Sequence, residues 1–223
     1  MEKNMKFTLT PFVGALIMTT AAHGAPSPRA SIPGYTYGQS GLAHAPYSLK
    51  DLESLKKTML FTDEDIRYLR MSKPILENQT EAILDVWYGF VASTPELLHF
   101  FSSPKSGAPD GAYLAAVRKR FAQWILDTAD ANYDQAWLDY QYEIGRRHNA
   151  AKKNQTDHAD SVKQINFRYL SALTIPITTT LSPFLGKQGA STADVDKMHA
   201  AWVKAVLLQT ILWSEPYVKE GQF

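Results

Sequence analysis

The stretch Tyr133-Asp-Gln-Ala-Trp137-Leu-Asp-Tyr140-Gln-Tyr-Glu-Ile144-Gly-Arg-Arg-His148 decides the fold class. Tyr133, Trp137, Tyr140, Ile144 and His148 recur three and four positions apart, the period of a helix and not of a strand. A helix is expected from Tyr133 to about Ala151. Stepping back from His148 gives Ile144 and Gly145 one turn earlier, Gln141 two turns and Trp137 three. A glycine inside a helix costs about 1 kcal/mol against alanine. Its presence at 145 implies something bulky against the backbone, either a planar cofactor or a tight helix crossing. His148 is correspondingly either a ligand or an ordinary helix histidine.

The pattern continues in both directions. Ser48-Leu-Lys-Asp with Leu52, Leu55 and Met59 predicts a short amphipathic helix, and Thr62-Asp-Glu-Asp is a capping-type start for a helix running to about Asn78. Thr80 to about Ser93 carries Ile83, Leu84, Trp87 and Val91 at helical spacing. Pro95 restarts the chain for a very short piece, Glu96 to Phe101. A loop with Gly107, Pro109 and Gly111 leads to a long helix at about 112–129, striped by Leu114, Val117, Phe121, Trp124 and Ile125. After a polar linker at 152–160 come two last helices, about 161–186, with an expected kink at Pro176, and 191–214, opened by Ser191-Thr192 before Asp194. No segment alternates long enough to build a sheet. The fold class is all-α, with eight helices in one domain, a count that suits several helical architectures.

Composition narrows the function. Hydrophobic residues are 45% and charged ones 20%, as in an ordinary globular domain, and a net charge of +1 gives no electrostatic case for a nucleic-acid partner. Five Trp, eleven Tyr and ten Phe demand either a large core or a large flat ligand. With no cysteine, disulfides, zinc–thiolate sites, iron–sulfur clusters and a thioether-linked haem are excluded. Residues 1–24 have the layout of a signal peptide: lysines, an apolar run from Phe7 to Ala22, then small residues at Ala22-His-Gly-Ala25. Glu2 and Pro11 weaken that pattern. The expectation is export to the periplasm, the alternative a disordered leader or misassigned start on a cytoplasmic protein. The segment is too short and polar for a stable membrane span. Residues 25–47, rich in Pro, Gly, Ser and Tyr, read as an extended N-terminal arm, leaving 48–223 as the folded domain.

Candidate chemistry is sparse elsewhere. Of six histidines, His23 lies in the leader, His44 and His158 in polar sequence, His99 in the short piece and His199 in the last helix. Trp87-Tyr88 are adjacent, hence about 100° apart on a helix: Trp87 continues the core stripe, while Tyr88 needs a partner for a buried hydroxyl. Phe121 and Trp124 are core by default. Arg118-Lys-Arg120 is a solvated face unless Arg120 turns toward a carboxylate-bearing ligand. The acid-rich Asp127–Asp134 segment lacks the glycine and terminal glutamate of a calcium loop and reads as a helix–helix turn. Asp139 and Glu143 are one turn apart without a nucleophile nearby. Asn78-Gln-Thr80 and Asn154-Gln-Thr156 match a glycosylation triplet only. There is no Gly-rich phosphate loop, H-E-x-x-H or G-x-S-x-G.

Several blocks resemble protoglobins, the single-domain relatives of the globin domain in globin-coupled sensors. They are Ile32-Pro-Gly-Tyr-Thr-Tyr-Gly, Asp85-Val-Trp-Tyr-Gly-Phe-Val, Tyr113-Leu-Ala-Ala-Val-Arg-Lys-Arg-Phe, Tyr133 to Gly145, Lys152-Lys-Asn-Gln-Thr-Asp, Trp202-Val-Lys-Ala and Leu212-Trp-Ser-Glu-Pro-Tyr-Val-Lys. They run in family order from about residue 32 to the C-terminus. The resemblance implies a globin-like helical sandwich with an extra N-terminal helix at 48–59 and an arm that helps bury a non-covalent haem b. It places the iron ligand on His148, with Ile144 beside it, the distal residues on Trp87, Tyr88 and Phe121, and Arg120 near the haem propionates. A position often aromatic in relatives is Leu173 here, which bears on pocket volume. Tyr88 would donate to a bound gas while Trp87 and Phe121 restrict access. The resemblance implies reversible binding of O2, CO and NO, for gas binding or sensing, and a homodimer formed through the last two helices. A haem enzyme detoxifying reactive nitrogen or oxygen species is the alternative, and a cofactor-free helical interaction protein a third. The leader departs from the family.

Overall fold

The computed structural model describes residues 32–219 and 221–223. The leader expected at 1–24 lies outside them. The regular elements of the described chain are helices: α1 (Leu49–Thr58), α2 (Asp63–Leu76), α3 (Thr80–Ser93), α4 (Pro95–Leu98) with a 3-10 turn at His99–Phe101, α5 (Gly111–Asp130), α6 (Gln135–His148), α7 (Phe167–Ala172), α8 (Thr174–Leu185) and α9 (Thr192–Trp213) with a 3-10 turn at Glu215–Tyr217. None of these helices is long and apolar enough to cross a membrane.

Local chemistry sets the starts. Ser48 caps α1 reciprocally: its hydroxyl accepts from the Asp51 N–H at 3.3 Å and the Asp51 carboxylate accepts from the Ser48 N–H at 2.8 Å. Thr62 and Asp65 form the corresponding capping box at α2. There the Asp65 carboxylate accepts from the Thr62 N–H at 2.7 Å and from its hydroxyl at 3.1 Å. Asp134 caps α6 through the Trp137 N–H at 2.8 Å, and Ser191 caps α9 through the Asp194 N–H at 3.1 Å.

The centre of the domain is α9, which packs against α2, α6 and α8. Met198, Ala201, Trp202, Ala205, Leu208 and Leu212 along it are buried on more than one side. Indoles are satisfied inside this core: Trp202 of α9 donates to the Ser72 hydroxyl at 2.9 Å and Trp124 of α5 to the Gln209 side-chain oxygen at 2.7 Å.

Three boundaries differ from the sequence expectation. The helix expected to reach Ala151 stops at His148, because Asn149 turns extended and its side chain bonds the Ala151 N–H and the Pro216 carbonyl instead. The linker accordingly runs to Asn166, with Asn154 and His158 in left-handed conformations that interrupt any helix. The helix expected over 161–186 is two helices, broken at Leu173. The break lies about one turn before Pro176, which cannot donate to the Ala172 carbonyl and whose ring crowds it, so the interruption expected from this proline takes the form of a break.

The described arm, 32–47, lies on α5 and α6 without forming a helix. Tyr37 stacks on Tyr140 at 5.4 Å with the planes 5° apart, and the Tyr35 hydroxyl donates to Asp127 at 2.7 Å. Asp139 accepts from the Ala45 N–H at 2.9 Å, so it anchors the arm.

Candidate functional site

The C-terminal turn of α6 presents His148 at the edge of an interior cavity. Its Nδ1 lies 2.9 Å from the Ile144 carbonyl oxygen. A carbonyl only accepts, so Nδ1 carries the proton and Nε2 keeps its lone pair. Nε2 makes no hydrogen bond among the described residues. Burial holds the ring neutral, pushing its pKa down to about 4, and the Lys153 and Arg147 charges push in the same direction; the Ile144 bond opposes them.

Facing this imidazole is a cavity of about 220 Å³. His148, Ile144, Trp87, Tyr88, Phe121, Arg120 and Leu173 all line it. They come from α3, α5, α6 and the α7–α8 break, so the fold gathers all seven candidates to one space. Trp87 and Phe121 meet edge to face at 5.8 Å, and Phe121 continues to Trp124 at 5.2 Å, which makes an aromatic wall. Beside it, Tyr88 has no hydroxyl partner among the described residues. Burial pushes this phenol well above its usual pKa, the nearby Arg118 charge opposing, so it stays a proton donor. Leu173 is brought into the wall by the helix break itself.

Arg120 reaches the cavity with its charge already answered. It pairs with both oxygens of Asp157, at 2.9 and 2.5 Å, and donates to the Pro33 carbonyl oxygen at 2.9 Å. Arg118, two residues away, instead binds Glu81 and Asp85 on α3. His44, His99, His158 and His199 do not line the cavity.

Among the lining residues that sequence reasoning did not assign to the site are Tyr140, Arg147, Lys152, Asp157 and Trp213. Arg147 had a signal, since it is adjacent to His148. It bonds Glu143 at 2.8 Å, the Gly34 carbonyl oxygen at 2.6 Å and the Thr36 hydroxyl at 3.0 Å. Lys152 meets the same Glu143 oxygen at 2.6 Å. Glu143 is therefore an anchor for two cations, and it is not paired with Asp139. Trp213 stood in an apolar run and in the block Leu212 to Lys219, but neither gave it a role at the site.

Gly145 has its explanation in a helix crossing. A Cβ there would meet the Trp213 Cα and carbonyl oxygen at 3.0 Å, so α6 and α9 touch backbone to backbone. The planar-cofactor reading of that glycine is set aside.

A protoglobin family model matches residues 48–223. The chain belongs to the protoglobin family. Its fold is that of the globin domain of the Geobacter sulfurreducens globin-coupled sensor, with a TM-score of 0.57 at 17% identity, covering 75% of this chain and 97% of that one. No curated protein matches the chain.

For a protoglobin the group to test in the cavity is haem, and the residues fit it. A single water needs only about 10–15 Å³. The cavity, at about 220 Å³, has room for a far larger guest. The walls are aromatic and aliphatic, one neutral imidazole nitrogen opens on them, and Arg120, Arg147 and Lys152 supply cations at the margin. That donor set suits a flat apolar macrocycle with acidic substituents and a metal of intermediate softness.

Proposed function

We propose that this protein binds haem b non-covalently through His148 and reversibly binds O2, CO and NO at the iron, as a gas-binding or gas-sensing globin. The observation that carries the reading is the Nδ1–H tautomer of His148, which leaves Nε2 free beside a large aromatic cavity. The absence of cysteine leaves no thioether attachment.

Each side chain has a part in this reading. His148 offers one neutral nitrogen, with the Ile144 carbonyl raising its basicity and fixing its tautomer. Haem iron held there would supply the centre that takes up and releases a diatomic gas. Tyr88 offers a hydroxyl proton to a ligand that carries partial negative charge. Trp87 and Phe121 limit the space around that ligand and keep water out. Arg120, Arg147 and Lys152 would hold the propionates, with Asp157 and Glu143 keeping those cations in place.

Titrating the purified chain with haemin tests the reading. A stoichiometric Soret band is expected, and His148→Ala should abolish tight binding or alter the ferrous spectrum. A normal five-coordinate ferrous spectrum in His148→Ala would overturn the assignment. Two further proposals follow. The chain pairs through α8 and α9, whose Ile175 and Leu207 are exposed apolar residues, and sedimentation would show a monomer if that is wrong. Residues 1–24 direct export, which N-terminal sequencing of the mature protein decides.

A further inference from the structure

Trp213 is the last residue of α9 and lies against the one histidine of the site. Its ring stacks on His148 at a centroid distance of 5.3 Å with the planes 25° apart. The indole N–H donates to the Gln141 side-chain oxygen at 2.9 Å, with Gln141 fully enclosed. The backbone of Trp213 sits against Gly145, where a methyl group would lie only 3.0 Å from the Trp213 Cα and carbonyl oxygen. Thus Gln141, Ile144, Gly145 and His148, one face of α6 at successive turns, each hold either the imidazole or the indole beside it.

Two freedoms of the His148 ring have to be fixed for Nε2 to point one way. The Nδ1–Ile144 bond fixes its tautomer and one tilt. It narrows the broad torsion about Cβ–Cγ without locking it, since a single hydrogen bond still lets the ring rock. A flat ring stacked at 25° on one face blocks that rotation. The indole cannot swing away, since Gln141 holds its N–H and Gly145 lets the backbone seat deeply.

We propose that Trp213 is the positioning residue of this site: with Gln141 and Gly145 it sets the plane of the His148 imidazole. The part concerning iron rests on the haem reading above; the part concerning the ring does not. α9 thereby sets the direction of the site's donor nitrogen from the core of the domain.

The test compares wild type with Trp213→Leu, Trp213→Phe and Gln141→Leu, each with its fold verified by circular dichroism. In the haem-free chain, NMR of the His148 imidazole should show one sharp set of resonances for wild type and Trp213→Phe. It should show broadened or doubled resonances for Trp213→Leu. In the haemin-loaded ferrous chain, the iron–histidine stretching band should be narrow for the first two and broad or shifted for the third. If Trp213→Leu does not fold, Gln141→Leu carries the test, with the same broadening expected from a released indole. Unchanged His148 resonances in the folded leucine variants would overturn the proposal. A wild type that takes up no haemin but shows the NMR contrast would end the haem reading alone.

Discussion

Arg120 and Asp157 form a two-pronged ion pair, Nη1 to Oδ1 at 2.9 Å and Nη2 to Oδ2 at 2.5 Å, under the Pro33 carbonyl of the arm. Both side chains are about seven-eighths covered. Arg120 therefore joins three separate segments: α5, the linker after α6, and the arm. Removing one partner of a covered pair leaves the other charge without an answer, a loss of about 3 kcal/mol. Arg120→Leu is expected to lower unfolding stability by about that much, and to speed proteolytic cutting within 32–47. Urea unfolding and limited proteolysis measure the two effects. An arm cut at the wild-type rate would show that the Pro33 contact does not hold it.

Glycines 145 and 89 give opposite expectations for the same substitution. Both lie inside helices, where alanine is favoured by about 1 kcal/mol. A Cβ at Gly89 meets nothing within 4 Å, so Gly89→Ala should stabilise by about 0.5–1 kcal/mol. At Gly145 the obstacle is the Trp213 backbone at 3.0 Å, which cannot rotate out of the way. Overpacking of this kind costs about 1–3 kcal/mol and outweighs the helix gain. Gly145→Ala should therefore be destabilised, and equal unfolding midpoints for the two variants would refute the crossing argument.

Lys153 should give the domain an unusual alkaline response. Its ammonium is buried, bonded to the Phe100 carbonyl at 3.1 Å, Asn154 at 2.9 Å and the Ser161 hydroxyl at 2.6 Å. Burial pushes its pKa down from 10.5 to about 8. Between those values the unfolded chain binds more protons than the folded one, so stability rises with pH there. The penalty of burying the charge is fully present below about 8 and is relieved as pH climbs toward 10.5. From about pH 7 to about pH 9.5, wild type should gain roughly 2 kcal/mol relative to Lys153→Met. Parallel denaturant titrations at the two pH values measure it. A flat difference would mean that the lysine is solvated.

Most of the fold was legible because it is written in local chemistry. The Ser48/Asp51 reciprocal cap, the Trp87 stripe and the Pro95 restart are short-range signals, and the helices they mark form. The end of α6 was not legible. Asn149 is polar in either reading, and only its bond to Pro216, 67 positions away, turns the chain out of the helix. The break at Leu173, by contrast, was announced by Pro176, which removes the helical bond to the Ala172 carbonyl. For the site, the family resemblance named the seven residues, and the geometry shows them around one cavity. Trp213 escaped because a stacking partner contributed by another helix leaves no periodic trace. Gly145 was noticed for the right reason, a close approach, and only coordinates could say that the approaching object is a backbone.

Tyr88 is where the gas-binding reading is most exposed to measurement. Its hydroxyl has no partner among the described residues, so removing it orphans no protein group. Tyr88→Phe should thus leave unfolding stability within about 0.5 kcal/mol of wild type. Haem uptake should also be unchanged, since His148 and the aromatic wall remain. The hydroxyl's effect is confined to a ligand with partial negative charge, for which one hydrogen bond is worth about 1–2 kcal/mol, or about tenfold in rate. Oxygen should therefore leave Tyr88→Phe about ten times faster, while carbon monoxide, a weaker acceptor, leaves at nearly the wild-type rate. Stopped-flow displacement measures both. If the two gases accelerate equally, Tyr88 acts by filling space; if neither changes, it does not face the bound gas at all.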